Sequence, residues 1–167
     1  VAVYRSTNYG LRVFNRSSSS HATTSITVEN STFKFNSQAG IRLSGPGAGS
    51  SNPAIGSINI SDSDITDNGF LNNQTVPDLQ GFAGVRTEGK INNLDITGNN
   101  IRRSGYALVI SQPTLNSFNV SDNTISHYCI MLNDCGGLYV NASNQTTEQN
   151  HVVEDNEFSL PFGNTDG

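Results

Sequence analysis

The sequence predicts an all-β protein: a right-handed parallel β-helix, or solenoid, of about five coils with three short strands in each coil. Three observations lead to this prediction. An eight-residue frame returns five times, a shorter apolar motif alternates with it, and additional residues fall only at two connections. The composition agrees, because 22 Asn, 21 Ser and 16 Gly residues with only 14% charged residues are typical of a turn-rich β protein.

The eight-residue frame carries apolar residues at positions 1, 3 and 8 and polar residues at nearly every other position. Positions 1 and 3 lie on one face of a first strand, because side chains alternate along a strand. The polar pair at positions 5 and 6 predicts a sharp bend whose Asn, Asp and Gly residues tolerate left-handed backbone. Position 8 then enters the core on a second strand. The five copies of the frame span residues 26–33, 58–65, 94–101, 118–125 and 151–158.

The shorter motif predicts the third strand of each coil. It has a small first residue in most copies, apolar second and fourth residues, and an outward third residue. Its copies begin at Gly10, Gly40, Gly84, Ala107 and Cys129, with a mean period of about 30 residues. A β-sandwich also contains short alternating strands, but it gives no reason for one frame to return five times.

The additional residues fall where a solenoid tolerates them. Residues 44–57 and 133–150 extend the connection after the third strand, and residues 67–83 extend the one before it. The last copy of the frame has His151 in an apolar slot, which we interpret as a frayed final coil rather than a functional buried histidine.

Both ends of the sequence lack a polar cap. Residues 1–4 occupy the second-strand place of a coil whose first strand is absent, and open strand edges promote pairing with other chains. We therefore expect residues 1–167 to be a single β-helical segment of a longer chain or assembly, with further coils or identical subunits as partners at the open ends.

The charge and cysteine content narrow the function classes. A net charge of −5 with no basic stripe argues against nucleic acid as a partner, and no apolar run is long enough to span a membrane. Cys129 and Cys135 form either a disulfide in an oxidising compartment or two free thiols, and their spacing is not a zinc signature. We expect no metal and no cofactor, and an extracellular or cell-surface location.

The segment Ile26-Thr-Val-Glu-Asn-Ser-Thr-Phe33, followed by Ala39-Gly-Ile-Arg-Leu43, resembles the repeat of the pectate-lyase-like superfamily of parallel β-helices. The resemblance extends over most of the chain, from about residue 3 to residue 158. It implies the fold but no single activity, because the superfamily includes lyases, epimerases, glycoside hydrolases, phage tailspikes, adhesins and structural solenoids. It also implies that the third-strand sheet is the polysaccharide-facing surface.

Arg12, Arg42 and Arg86 occupy one outward slot of the third strand in three successive coils. Neighbouring strands are about 4.7–4.9 Å apart, so the three guanidinium groups should form a ladder that could bind the carboxylates of an acidic glycan. The alternative, which we favour, is a ladder neutralised by local acids such as Glu88 without any ligand. We favour it because Val109 and Met131 fill the same slot in the next two coils.

Catalysis finds little support in the sequence, and no catalytic residue is assigned. The outward third-strand slots contain no Asp or Glu that could act as a base, and the recurring Asp62, Asp122 and Asp155 occupy the bend, where they are turn formers. We therefore favour a non-enzymatic role, while coils outside this sequence could carry a site.

Seven Asn-x-Ser/Thr sequons are candidates for N-glycosylation, and none occupies an inward slot. They are Asn15, Asn30, Asn59, Asn73, Asn119, Asn141 and Asn144. Asn59 and Asn119 share an outward slot of the first strand, and we expect Asn15, Asn73, Asn141 and Asn144 to lie in loops. The leading hypothesis is a structural, N-glycosylated segment of an extracellular fibre, filament or adhesin. The alternative is a module that binds or processes acidic polysaccharides.

Overall fold

The computed structural model describes residues 1–15, 24–47, 49–69, 81–111, 116–130, 135–141 and 150–161, and these residues form a parallel β-helix. Sheet A contains β1 (Ala2–Tyr4), β4 (Thr32–Lys34), β7 (Asp64–Asn68), β10 (Asn100–Ser104), β13 (Thr124–Ser126) and β16 (Glu157–Ser159). Sheet B contains β2 (Leu11–Phe14), β5 (Ile41–Ser44), β8 (Ala83–Glu88), β11 (Tyr106–Ser111) and β14 (Leu138–Asn141). Sheet C contains β3 (Ser25–Glu29), β6 (Ile55–Ser61), β9 (Ile91–Thr97), β12 (Ser117–Ser121) and β15 (Asn150–Glu154).

The chain visits sheets A, B and C in the same order in every coil, and each strand pairs in parallel with the strand one coil away. The predicted parallel β-helix of about five coils is therefore confirmed. The first strand of the repeat frame lies in sheet C, the second in sheet A and the third in sheet B.

The apolar slots of the frame form one continuous core between the three sheets. In sheet C, Ile60, Ile96 and Val120 occupy neighbouring positions on β6, β9 and β12, and each is at most 1% exposed. The residues at position 8, Ile65, Ile101 and Ile125, align in the same way in sheet A. Burying one such side chain contributes about 1.5–3 kcal/mol, so these columns are the main source of stability.

The small residue that begins the third strand is required by close packing against sheet A. A Cβ atom on Gly40 would lie 2.7 Å from Ile65 Cγ2, and one on Gly84 would lie 2.6 Å from Ile101 Cγ2. Both distances are shorter than a van der Waals contact, so a side chain here would force the core isoleucine on the sheet A strand of the next coil to move.

The bend between sheets C and A has the predicted left-handed backbone at position 5 of the frame. The positive φ angles there belong to Asn30 (47°), Asp62 (49°), Gly98 (67°), Asp122 (57°) and Asp155 (51°). Gly, Asn and Asp are the residues that adopt this conformation at least cost. The recurring aspartates are therefore turn formers, as predicted.

The side chains at position 6 of the frame form a hydrogen-bonded column from coil to coil. The prediction that positions 5 and 6 form a bend does not by itself predict this column. Asn99 donates from its backbone and from Nδ2 to Asn123 Oδ1, at 2.9 and 3.0 Å, and Asn123 makes the same two bonds to Asn156 Oδ1. Ser31 and Ser63 continue the column towards the N-terminal coils. These side chains satisfy backbone groups that would otherwise be buried without partners at the corner.

The third strand of the last coil differs from the prediction. It is β14 (Leu138–Asn141), which pairs with β11 through Leu108 and Leu138, whereas the predicted segment began at Cys129. Cys129 instead belongs to a corner and donates its backbone N–H to Gly105 O at 2.7 Å. The small residue of this coil is Gly137, where an added Cβ would lie 2.8 Å from Phe158 Cδ1.

Candidate functional site

Arg12, Arg42 and Arg86 are neighbours in sheet B, in the register that the sequence predicts. The same outward column continues with Val109 on β11 and Tyr139 on β14. Tyr139 therefore occupies the place predicted for Met131, which lies outside the described residues.

Glu88 contacts two residues of this arginine column, Arg42 and Arg86, and neutralises part of its charge. Arg42 donates to Glu88 Oε1 from Nε at 3.0 Å and from a terminal nitrogen at 2.8 Å, and Arg86 lies 2.9 Å from Oε2. Ser44 Oγ donates to Oε1 at 2.5 Å. Burial raises the pKa of Glu88, but these hydrogen bonds and the two positive charges outweigh it, so its pKa lies below the ordinary value. Glu88 remains ionised at neutral pH.

The column is not uniformly accessible to a ligand. Arg86 is 7% exposed and its neighbour Val109 is 1% exposed, so neither presents a surface to a glycan. Arg12 is exposed and Arg42 is partly buried. Among the three arginines, the accessible guanidinium groups are therefore those of Arg12 on β2 and Arg42 on β5.

Two aromatic residues complete the accessible part of this surface. The Arg12 guanidinium lies 5.1 Å from the centre of the Tyr9 ring and 5.4 Å from that of Phe14. Arg42 lies 5.3 Å from the Tyr9 ring centre and donates to the Tyr9 hydroxyl at 2.5 Å. We call these four residues the Arg–aromatic cluster. Such stacking holds a guanidinium in place without neutralising its charge.

Neither Tyr9 nor Phe14 was predicted from the sequence to belong to this cluster. Phe14 was detectable, because residues two apart on a strand share a face and it follows Arg12 by two. Tyr9 lies at the corner before Gly10, and β2 begins only at Leu11. The alternation of side chains along a strand therefore does not predict which way Tyr9 faces.

The N-terminal end of the solenoid leaves its core open. An open cavity of about 330 Å³ is lined by Val1, Val3, Leu11 and Val28 of the first coil and by Phe33 on β4. The inward residues Val3, Leu11 and Val13 are only partly buried, whereas Phe33, Ile41 and Leu43, which fill the same slots in the next coil, are at most 2% exposed. Apolar surface in inward slots is thus exposed at this end.

The C-terminal end exposes the same kind of surface. Val140 is 42%, Val153 48% and Phe158 42% exposed, although all three occupy inward slots of the repeat. His151 stacks on Phe118 at 4.4 Å with 14° between the rings, and it is an exposed residue of β15, which pairs with β12.

The described sequons are all on the outside of the solenoid. Asn59 and Asn119 share an outward column of sheet C through Asp95, as predicted. Asn30 is exposed at a bend, and Asn15 follows β2. Asn141 is the exposed last residue of β14 rather than a loop residue. The candidates Asn73 and Asn144 lie outside the described residues.

The two cysteines form a disulfide between Cys129 and Cys135, with 5.3 Å between their Cα atoms. Cys135 packs against the cluster on the outside of sheet B that includes Tyr106 and Val109. The bond therefore fixes the corner from which the chain enters β14.

Within the described ranges, no group of three or more His, Cys, Asp or Glu side chains is placed to hold a metal ion. The described residues also include no helix that is long and apolar enough to cross a membrane. Comparison with protein-family models, with curated proteins and with solved structures finds no match to this chain.

Proposed function

We propose that this chain is a structural segment of an extracellular or cell-surface fibre, filament or adhesin, in which further coils cover its two open ends. The observation that carries the proposal is the contrast along a single column of sheet C. Ile60, Ile96 and Val120 are at most 1% exposed, whereas Val153 in the same slot is 48% exposed. A slot built for burial is thus left open at the end of the solenoid.

The closed middle coils support a structural role for this segment. Their core columns are closed, and the Ser and Asn side chains at the corner between sheets C and A bond from coil to coil through Ser63, Asn99 and Asn123. Such repeated side-chain bonds hold each coil in register with the next. A solenoid built in this way behaves as a rod whose length is set by the number of coils.

An oxidising, extracellular setting is supported by the disulfide between Cys129 and Cys135, because such bonds persist mainly outside the cytosol. N-glycosylation belongs to the same proposal. Asn30, Asn59 and Asn141 are exposed and could carry a glycan without disturbing the core. Intact-mass measurement of the natural material tests this part directly.

The first prediction uses two adjacent valines that lie on opposite faces of β15. Val153→Lys places a charge in the open inward slot and should abolish self-association, because the charge would be buried between stacked coils. Val152→Lys is the matched control, since Val152 faces outward beside Asn119, and it should associate like the unmodified chain. Sedimentation velocity from about 1 µM to 1 mM measures both. An unmodified chain that stays monomeric over this range would contradict the proposal.

A second candidate function is the binding of an acidic polysaccharide at the Arg–aromatic cluster. It rests on Arg12, which is exposed and stacks on Tyr9 and Phe14, and which makes no ion pair among the described residues. An exposed guanidinium beside aromatic rings suits a uronate, whose ring face is apolar and whose carboxylate is planar. The resemblance to the pectate-lyase-like superfamily supports this candidate.

The second prediction tests this candidate by titration with uronate oligosaccharides. Arg12→Ala should weaken binding at least tenfold, because it removes the accessible cation of the cluster. Arg102→Ala, on sheet A, is the control and should bind like the unmodified chain. Isothermal titration calorimetry at low salt measures both affinities. Equal binding by the two variants, or none by the unmodified chain, would remove this candidate.

A further inference from the structure

The outward face of sheet A carries one arginine without a partner in the middle coils. Lys34, Thr66, Arg102 and Ser126 lie side by side on β4, β7, β10 and β13, as the backbone pairs of these strands show. Arg102 is partly exposed. Its guanidinium makes no ion pair, no hydrogen bond and no ring contact with any part of the chain that the structure describes.

The other charges of these four strands are paired with each other. Lys34 forms an ion pair with Asp64 at 2.5 Å, and Arg103 forms a bidentate ion pair with Asp67. Three cations and two carboxylates therefore leave the four strands with one net positive charge, that of the unpaired arginine, although the whole chain carries −5. An anion is attracted to this part of sheet A rather than repelled.

Two buried polar atoms at the same place also lack a partner. Thr66 is fully buried, and its Oγ1 makes no hydrogen bond to a described residue. The Nε atom of Arg102 is buried and unpaired as well. Folded proteins pair nearly all such groups, so these two atoms call for a water molecule or an ion. The uncompensated charge beside them favours an anion, because hydrogen bonds to charged groups are the stronger ones.

We propose that Arg102, Thr66 and Ser126 form a binding site for a compact oxyanion, namely a sulfate or phosphate group. The guanidinium would donate two hydrogen bonds to it. Thr66 and Ser126 lie on the two neighbouring strands, about 4.8 Å to either side, and their hydroxyl groups would donate one bond each. Because no other contact holds the Arg102 guanidinium, its side chain can change rotamer and let the anion reach the buried Thr66.

Ser126 is suited to this role although it already has a neighbour. It is 8% exposed, and its Oγ lies 3.2 Å from Nδ1 of His127. A serine hydroxyl has one donor and two acceptor positions, so it can accept from the imidazole and donate to the anion at the same time.

The arrangement favours a tetrahedral oxyanion over a uronate. Donors lie on both sides of Arg102, and a tetrahedral anion directs oxygens towards both sides, whereas a planar carboxylate has only two oxygens in one plane. No aromatic ring among the described residues stacks on the Arg102 guanidinium, so a sugar ring has no apolar face to lie on. The site is therefore separate from the Arg–aromatic cluster of sheet B in both place and ligand.

The test replaces sodium chloride by sodium sulfate at constant ionic strength and follows the backbone amide signals of residues 64–67 and 100–103 by NMR. We expect saturable shifts at Thr66 and Arg102 in the unmodified chain, and none in Arg102→Ala. Arg12→Ala is the matched control, because it removes the exposed guanidinium of sheet B instead. It should bind sulfate at Thr66 as the unmodified chain does.

Thr66→Val is a second variant, which removes the hydroxyl and keeps the branched shape of the side chain. It should weaken sulfate binding about tenfold, because one donor to a charged group is lost. It should not lower the melting temperature in chloride, because the hydroxyl has no partner in the free chain. A lower melting temperature in chloride together with unchanged sulfate binding would show that the hydroxyl is structural, and would overturn the site as proposed.

Three ligands distinguish the source of the anion, namely inorganic sulfate, inorganic phosphate and a sulfated disaccharide. Binding of the disaccharide at least tenfold tighter than inorganic sulfate would identify a sulfate ester of a glycan, and equal or weaker binding would identify a free ion. The absence of saturable shifts at Thr66 and Arg102 with all three ligands would overturn the proposal, as would shifts that persist in Arg102→Ala. Neither result would alter the proposed structural function, which does not depend on this face.

Discussion

At the scale of single residues, Glu88 has the strongest influence on the surface of sheet B. It pairs with Arg42 and Arg86 and accepts from Ser44, while its side chain is only 19% exposed. Removing the carboxylate leaves the largely buried Arg86 charge without this partner, and uncompensated charge in a protein interior is costly. Glu88 thus compensates the charges of two of the three stacked arginines, Arg42 and Arg86.

Glu88→Gln should lower the free energy of unfolding at pH 7 by about 2 kcal/mol. The pKa of Glu88 is lower in the folded chain than its ordinary value of 4.5, so its contribution is present above that value and is lost as pH falls through the folded pKa. The difference between the variant and the unmodified chain should therefore shrink in acid. Urea unfolding from pH 7 to pH 3 measures this, with Glu29→Gln on the exposed edge of sheet C as control. A difference that is constant with pH would contradict the assigned ionisation.

At the scale of strands, an element could be predicted from the sequence wherever it repeats. The frames containing Ile60, Ile96 and Val120 were aligned correctly because each copy has the same alternation and the same bend. The register of the arginine column followed from the same alignment. The sequence of a single strand does not show which strand it pairs with. Alignment of the repeats does show it, because equivalent positions of successive copies lie side by side.

The elements that were predicted incorrectly lie where the repeat is interrupted. Residues from Cys129 onward are apolar and resemble a strand, but the disulfide and an insertion delay the third strand until Leu138. Gly137 is a small residue, and the inward Leu138 and Val140 follow it. This segment fits the third-strand motif better than the one at Cys129 and could have indicated the correct position.

The buried roles of Asn99 and Asn123 were missed for another reason. A polar residue beside a bend is ordinarily assigned to the turn, and only the stacking of coils shows that it bonds to the next coil.

At the scale of the whole molecule, the solenoid is a one-dimensional stack in which each coil contacts only its neighbours. Its stability should therefore vary along the axis, with the middle coils held from both sides and the end coils from one. β9 pairs with both β6 and β12, whereas β15 pairs only with β12 among the described strands.

Val120 and Val153 provide a direct measurement of this gradient, because the same residue occupies the same slot in successive coils. Val120 is fully buried, and Val120→Ala removes two methyl groups from a closed core, which should cost about 2 kcal/mol of unfolding free energy. Val153 is 48% exposed, so Val153→Ala should cost less than about 0.5 kcal/mol in the monomer.

At concentrations where copies associate, Val153 becomes a core residue, and the cost of Val153→Ala should rise towards that of Val120→Ala. Urea unfolding of both variants at low and high protein concentration makes the comparison. A cost for Val153→Ala that does not change with concentration would mean that assembly leaves this slot open, and the end-to-end contact would then be wrong.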